Sequence, residues 1–237
     1  MAQAVTHTSS LGSSVGAPWE ILRSNNVTLD GRVIDFYTKS GGLGEYNAQF
    51  VLVPDFDLVL TILTAGPTGV TVDTLLSQTI SAMIPAIEQA NKDEARRRYA
   101  GFYQTASAQE TATMQLSVDD GPGLKISKWT TNTGADIFQE FPALLAANVS
   151  GRMYPTDLTA GTETAWRAIF SIDRALTGNE QPSPFVQSGC GSWSGIDGYV
   201  FGYKALDEFV IRLHDEGDLA MSVESRALRT TMKKCSL

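Results

Sequence analysis

The apolar period changes at Thr71, and that change limits the possible folds more than any other feature of the chain. Before it, four strand-length runs follow one another: Trp19–Arg23, Arg32–Thr38, Ala48–Val53 and Leu58–Thr64. Turn formers separate them, namely Ser24-Asn25-Asn26, Asp30-Gly31 and Pro54-Asp55. The run Leu58–Thr64 (LVLTILT) is apolar almost throughout, the pattern of a strand buried on both faces. From Val72 the spacing becomes i, i+3, i+4, i+7 through Leu75, Leu76, Thr79, Ile80, Met83, Ile84 and Ile87. That spacing predicts one amphipathic helix, with Pro85 as a possible kink and Lys92–Arg98 as its charged end. The first 18 residues are Ser/Gly-rich and aperiodic, and read as a loose lead-in.

Beyond Tyr99 the texture changes again, to short alternating runs. Gly101–Gln104, Ala112–Val118, Leu124–Thr130, Trp166–Ile172, Gly191–Trp193, Tyr199–Tyr203, Glu208–Leu213 and Met221–Glu224 are strand candidates. Asp119-Asp120-Gly121-Pro122-Gly123, Thr177-Gly178-Asn179, Ile196-Asp197-Gly198 and Glu216-Gly217 supply the turns. Short strands at hairpin spacing argue an antiparallel barrel or sandwich. One helical stretch is expected around Phe141–Asn148. The domain boundary is placed near residue 98.

Composition narrows the function classes. The chain has 237 residues, 43% hydrophobic and 19% charged, with a formal charge of −8. A field of that sign repels phosphate backbones, so nucleic acid and anionic membranes are not expected partners. The two cysteines, Cys190 and Cys235, form neither a disulfide framework nor a metal spacing. The N-terminal segment has no basic region followed by an apolar core, and no run reaches the 18–20 residues or so that span a bilayer. The sequons at Asn26 and Asn148 are then chance matches. A soluble, cytoplasmic protein acting on a small molecule is expected, with no cofactor and no metal.

Nucleophile motifs are weak. Gly12-Ser13-Ser14-Val15-Gly16 matches G-x-S-x-G, but the motif needs a strand before it and a helix after it. The two histidines, His7 and His214, lie in the lead-in and at a strand end, poor places for a catalytic triad. Nor does any lysine have a serine three residues before it, the spacing that lets an amine take a hydroxyl proton.

Lys39-Ser40-Gly41-Gly42 lies at the end of a strand and is followed by AQFVLVPDFD, LVLTILTAG and the long helix. That order resembles the closing part of the penicillin-binding-protein and β-lactamase-type serine hydrolases, where a Lys-Ser/Thr-Gly strand presents a cation and a hydroxyl to the substrate. More narrowly, the runs SVGAPWEI, DFYTKSGGLG, VLVPDFDLVLTILTAG, YAGFY, GPGLKISKW and ALDEFV resemble the C-terminal portion of the fungal β-lactamase-related hydrolases. The resemblance covers nearly the whole chain and the back half of a full family member. It implies a substrate-facing role for Lys39, Ser40 and Gly41. It does not carry over the family's acyl-serine chemistry, because the S-x-x-K nucleophile and tyrosine motif are not in this sequence.

The fold expectation is α+β: a partial β-lactamase-type antiparallel sheet with its helix over 1–98, then a lipocalin-like antiparallel β-barrel over 99–237. The catalytic candidates are Lys39, Ser40, Glu45, Tyr37 and Tyr46; Gly41, Gly42, Trp129, Trp166, Arg167, Trp193 and Tyr203 are the substrate-binding ones. Each has a plainer reading, as a solvated strand end or loop for Lys39 and Glu45 and as barrel core for the aromatics. The functional expectation is a β-lactamase-like fragment repurposed as a non-covalent cyclase or isomerase of fungal natural-product biosynthesis. The alternatives are a hydrolase or lyase with a non-serine acid/base pair, and a non-catalytic binding protein. A homodimer is expected, because Leu58–Thr64 would otherwise be left as an apolar sheet edge. The pocket is expected where the Lys39 strand end meets the β-rich domain.

Overall fold

The runs before Thr71 form one antiparallel meander in a computed structural model that describes residues 4–67, 71–106, 111–140, 148–173, 195–214 and 219–235. Its strands are β1 (Ala4–His7), β2 (Ser13–Gly16), β3 (Glu20–Ser24), β4 (Ile34–Leu43), β5 (Tyr46–Val53) and β6 (Leu58–Ala65), each paired with the next. The chain divides into two compact units, Met1–Asp93 and Glu94–Leu237.

The helix α1 (Val72–Tyr99) begins where the period changes. Thr71 caps it: the Thr74 N–H donates to Thr71 Oγ1 at 3.2 Å. Asp73 sits in the first turn and Arg96, Arg97 and Arg98 in the last, each favourable to the helix dipole. The helix runs through Pro85 as a single element. Leu76, Ile80 and Ile84 pack on Ile34 and Phe36 of β4 and Val51 and Val53 of β5, forming the core of the first unit.

A buried carboxylate ties this unit together. Glu88 of α1 accepts from the Leu29 backbone N–H at 3.2 Å and from Arg32 Nη1 at 2.9 Å. Arg32 also bonds Asp30 at 2.9 Å and lies over the Phe56 ring, 5.6 Å from its centroid. Burial alone would raise the Asp30 carboxyl, but bonds from Thr28 and Arg32 hold it below its ordinary range. The β3–β4 connection is thereby fastened to the helix.

Three expectations for this unit need correction. The lead-in is a hairpin, β1 and β2, whose small polar residues gave no apolar period. The Lys39-Ser40-Gly41 segment lies inside β4 rather than at a strand end, since β4 continues to Leu43 in the middle of the sheet. The run Leu58–Thr64 is not buried on both faces: β6 is the last strand of the sheet, with Leu58, Leu60 and Ile62 half-buried and Val59, Thr61 and Leu63 exposed. Continuous apolarity here belongs to an edge strand, not to a two-sided core.

The second unit carries β7 (Gly101–Gln104), β8 (Thr113–Ser117), β9 (Leu124–Trp129), β10 (Asn148–Ala160), β11 (Glu163–Asp173), β12 (Val200–Phe201), β13 (Lys204–Ala205), β14 (Glu208–Leu213), β15 (Ala220–Ser225) and β16 (Thr230–Lys234). Eight of them close into an antiparallel barrel in the order β10-β11-β14-β15-β16-β7-β8-β9, while β12 and β13 form a separate hairpin. Alternate residues point inward, and Met114, Leu116, Ile126, Trp129, Met153, Phe209, Ile211, Val223 and Met232 fill the interior. Trp129 lies 6.3 Å from Phe170 in a stacked pair and 5.2 Å from Phe209 edge-on. Its indole N–H has no hydrogen-bond acceptor among the described residues.

The longest barrel strand, β10, gave no strand signal, because Gly151, Pro155 and Asp157 all read as breakers. Each has a local reason. A side chain at 151 would meet Phe138 at 3.0 Å and Ile126 at 3.2 Å, so glycine lets these side chains approach the strand without shifting. Pro155 and Asp157 (φ 60°) belong to the register shift between Pro155 and Thr159, a bulge in the long β10–β11 ribbon. Strand β16 likewise carries no apolar alternation along the sequence, since Thr230 and Met232 point inward among polar neighbours. The helix expected at Phe141–Asn148 lies outside the described residues, apart from Asn148, which opens β10. Among the described residues no helix is long and apolar enough to cross a membrane.

Candidate functional site

Strand register assembles the site. Lys39 on β4 is opposite Phe50 on β5, and Phe50 is opposite Thr61 on β6. This row lies on the face away from Val51 and α1, because successive residues alternate across a strand. A groove of about 400 Å³ opens over it. Pro18 and Trp19 border it before β3, Lys39, Ser40 and Gly41 on β4, Ala48, Gln49 and Phe50 on β5, and Thr61 on β6. The Trp19 ring stacks on Phe50 with centroids 6.1 Å apart and planes 25° apart, giving the groove a flat aromatic wall.

The polar end is organised by a residue that the sequence did not single out. Glu20 begins β3 opposite Thr38, whose hydroxyl donates to the Glu20 carbonyl at 2.6 Å. Its carboxylate accepts from Lys39 Nζ at Oε1 (2.6 Å) and from Ser40 Oγ at Oε2 (3.1 Å). The hydrogen bond from Lys39 holds the Glu20 carboxyl below its ordinary range. The pair is exposed, 47% and 50% at the two side chains. Glu20 stands 19 residues before Lys39 in sequence, and only β3–β4 pairing joins them. Gly41 has room for a side chain, whose Cβ would lie 3.9 Å from Ala48, so the glycine serves to leave the groove open.

The remaining candidates scatter. Tyr37 is half-buried beside Leu52, and burial, with Asp35 and Asp55 nearby, pushes its hydroxyl up, so it stays protonated at neutral pH. Gly42 pairs with Asn47 just outside the groove lining. Glu45 and Tyr46 sit at the exposed β4–β5 turn, away from the groove. Trp129 and Trp166 are barrel core, the latter donating from Nε1 to Thr164 Oγ1 at 2.9 Å. Arg167 is held by Asp197 at 2.5 Å and by the buried Asp207 at 3.3 Å, which fastens the 195–199 segment to the barrel. Tyr203 is 99% exposed in the β12–β13 turn with φ 65°. Trp193 lies outside the described residues. Of the described aromatics read as ligand contacts, Trp129 and Trp166 are thus packed in the barrel core and Tyr203 lies in an exposed turn, because closing eight strands turns large rings inward.

Ser14 and His7 face each other across β1–β2, with Nδ1 and Oγ 2.9 Å apart. Ser14 is buried within a strand rather than raised on a strand–helix turn, so the contact closes a hairpin. Among the described residues no group of three His, Cys, Asp or Glu is placed to hold a metal ion.

A closed antiparallel barrel that follows a sheet-and-helix unit with a Lys-Ser-Gly strand marks a β-lactamase-like protein. Residues 91–236 match the family described as "Beta-lactamase-like-like, C-terminal domain", and the chain belongs to it. It is similar to a "Beta-lactamase-like protein" of Arthroderma benhamiae, 30% identical over 94% of this chain and 42% of that protein. It is also similar to two proteins named "Probable hydrolase", from Cochliobolus lunatus and a Phoma species, each 29% identical over 94% of this chain, covering 38% and 39% of those proteins. The chain therefore spans about two fifths of the length of the curated relatives it matches. No solved structure matches it.

Proposed function

We propose that the groove over Lys39, Phe50 and Thr61 binds a small molecule carrying a carboxylate or similar oxyanion next to a flat apolar portion. The observation that carries this reading is Glu20: Lys39 and Ser40 already grip a carboxylate, one donor on each oxygen. A ligand carboxylate would take the same two donors and lay its ring against Trp19 and Phe50. Paired charge-assisted bonds of this kind orient an anion as well as attract it.

The reaction proposed is a cyclisation or isomerisation without a covalent serine intermediate. Such reactions gain most of their rate from orientation and from stabilising a developing oxyanion, and Lys39 with Ser40 supplies both. Glu20 is the proton acceptor nearest to them and replaces Glu45 and Tyr46 in that role. The setting proposed is fungal natural-product biosynthesis in the cytoplasm, in keeping with the fungal relatives. Hydrolysis is the second reading, favoured by the names of two relatives, with Glu20 as base for an attacking water. Turnover in ¹⁸O-water separates the two: hydrolysis puts the label into product, isomerisation does not.

Binding tests the site itself. Benzoate- and naphthoate-type probes, followed by calorimetry, should bind wild type and lose about a hundredfold in affinity on Lys39→Ala. Glu20→Gln should bind them about tenfold more tightly, because it removes the internal competitor. If both variants match wild type, the groove is not the site.

A further inference from the structure

The way Lys39 is held restricts what can replace its partner. Its ammonium and the Ser40 hydroxyl each bond one oxygen of Glu20, and the bond from Lys39 lowers that carboxyl's pKa, so Glu20 is ionised at neutral pH. The polar end of the groove therefore carries one positive and one negative charge. Among the described residues Lys39 is the only charged side chain lining the groove, and it is the cation that acts on Glu20. The arginine of the same strand, Arg23, is already bonded to Asp35 at 2.8 Å.

A ligand carboxylate that takes Lys39 and Ser40 must displace the Glu20 carboxylate. Glu20 cannot retreat far, since its backbone is opposite Thr38 and the Thr38 hydroxyl bonds its carbonyl at 2.6 Å. The exchange leaves two carboxylates beside one lysine, and like charges that close repel. A plain aromatic acid binds against that repulsion. A ligand that brings its own cation one carbon from the carboxylate relieves it, because the freed Glu20 then has an ammonium to pair with. One ion pair is exchanged for two, each a charge-assisted hydrogen bond. The apolar side of the groove supplies the third element. Trp19 and Phe50 stack with centroids 6.1 Å apart, and Phe50 is 37% exposed, which leaves a flat surface for a ring to cover.

We propose that the groove recognises an aromatic α-amino acid or a close analogue: Lys39 and Ser40 hold its carboxylate, Glu20 its ammonium, and Trp19 with Phe50 its ring. This rests on the reading that Lys39 and Ser40 bind a carboxylate. It adds a cation subsite that forms only when Glu20 lets go of them. Glu20 is then a specificity residue, which disfavours anions that arrive without a cation.

Calorimetry on the full chain at neutral pH compares probes that share one ring: hydrocinnamate, phenylalanine as each enantiomer, and phenethylamine. The better-bound enantiomer of phenylalanine should bind wild type about fivefold more tightly than hydrocinnamate, the gain of one exposed ion pair. Phenethylamine should bind most weakly, since it offers Lys39 no replacement for Glu20. Glu20→Gln should reverse the order of the two acids, because the ammonium loses its partner while the plain carboxylate loses its competitor. Circular dichroism checks that each variant is folded. Suppose hydrocinnamate binds and Lys39→Ala weakens it, but phenylalanine binds no more tightly, or keeps its advantage in Glu20→Gln. The cation subsite is then overturned while the anion site stands. Tightest binding by phenethylamine would overturn the exchange as well. If no probe binds, or Lys39→Ala changes nothing, the anion site and the cation subsite fall together.

Discussion

The two large sheets of this chain finish in opposite ways. The barrel joins β9 to β10, leaves no free edge among its eight strands and fills its interior with side chains. The six-stranded sheet stops at β1 and β6, keeps α1 on one side only, and holds its Lys-Ser-Gly segment on a central strand beside a groove. A closed sheet satisfies its own backbone and buries its rings, so its aromatics are committed to packing. An open sheet leaves backbone donors, exposed apolar residues and charged side chains available to a ligand or another strand. The chemistry is therefore sought in the first unit and rigidity in the second.

The largest expected effect tests the barrel side of this contrast. Trp129→Ala removes a fully buried ring packed against Phe170 and Phe209 and should destabilise the barrel unit by about 3–5 kcal/mol. Denaturant unfolding followed by near-ultraviolet circular dichroism measures this. Trp129→Phe should cost clearly less, because the indole N–H it deletes has no acceptor among the described residues. An equal cost for both would mean that the N–H has a partner.

Next is the buried clamp of the sheet unit. Glu88→Ala leaves Arg32 and the Leu29 N–H without their shared acceptor. Removing one partner of a buried ion pair costs about 3–5 kcal/mol. Here about 2 is expected, since Arg32 keeps Asp30 and is partly exposed. If unfolding shows two transitions, only the sheet unit's should move. A shift of the barrel transition alone would break the contrast.

The smallest effect is expected at the groove. Lys39→Ala should change stability by about 0–1 kcal/mol, as for other exposed pairs, while ligand affinity falls steeply. Its pH dependence has a definite sign. Glu20 is held below its ordinary range in the fold, so its contribution is complete above that range and fades as pH falls through the folded value. Wild type and Lys39→Ala should therefore converge in stability towards pH 3, which thermal melts between pH 7 and pH 3 would register. A gap that widens on acidification contradicts the pairing.

What could be read along the chain were its local signals. The 3.6-residue period from Val72 marked the start of α1 and its charged end at Lys92–Arg98, and turn formers at hairpin spacing marked most barrel strands. Lys39, Ser40 and Gly41 stood out by motif. These are properties of neighbours within about four positions, where backbone preference and apolar spacing act directly. Register is not local. That Glu20 meets Lys39 and Ser40, that β6 is an edge rather than a buried strand, that Gly151 and Pro155 sit inside the longest barrel strand, and that Trp129 and Trp166 face a closed core were decided only when strands found their partners. A side chain's role there depends on residues tens of positions away, and pairing, not propensity, brings them within reach.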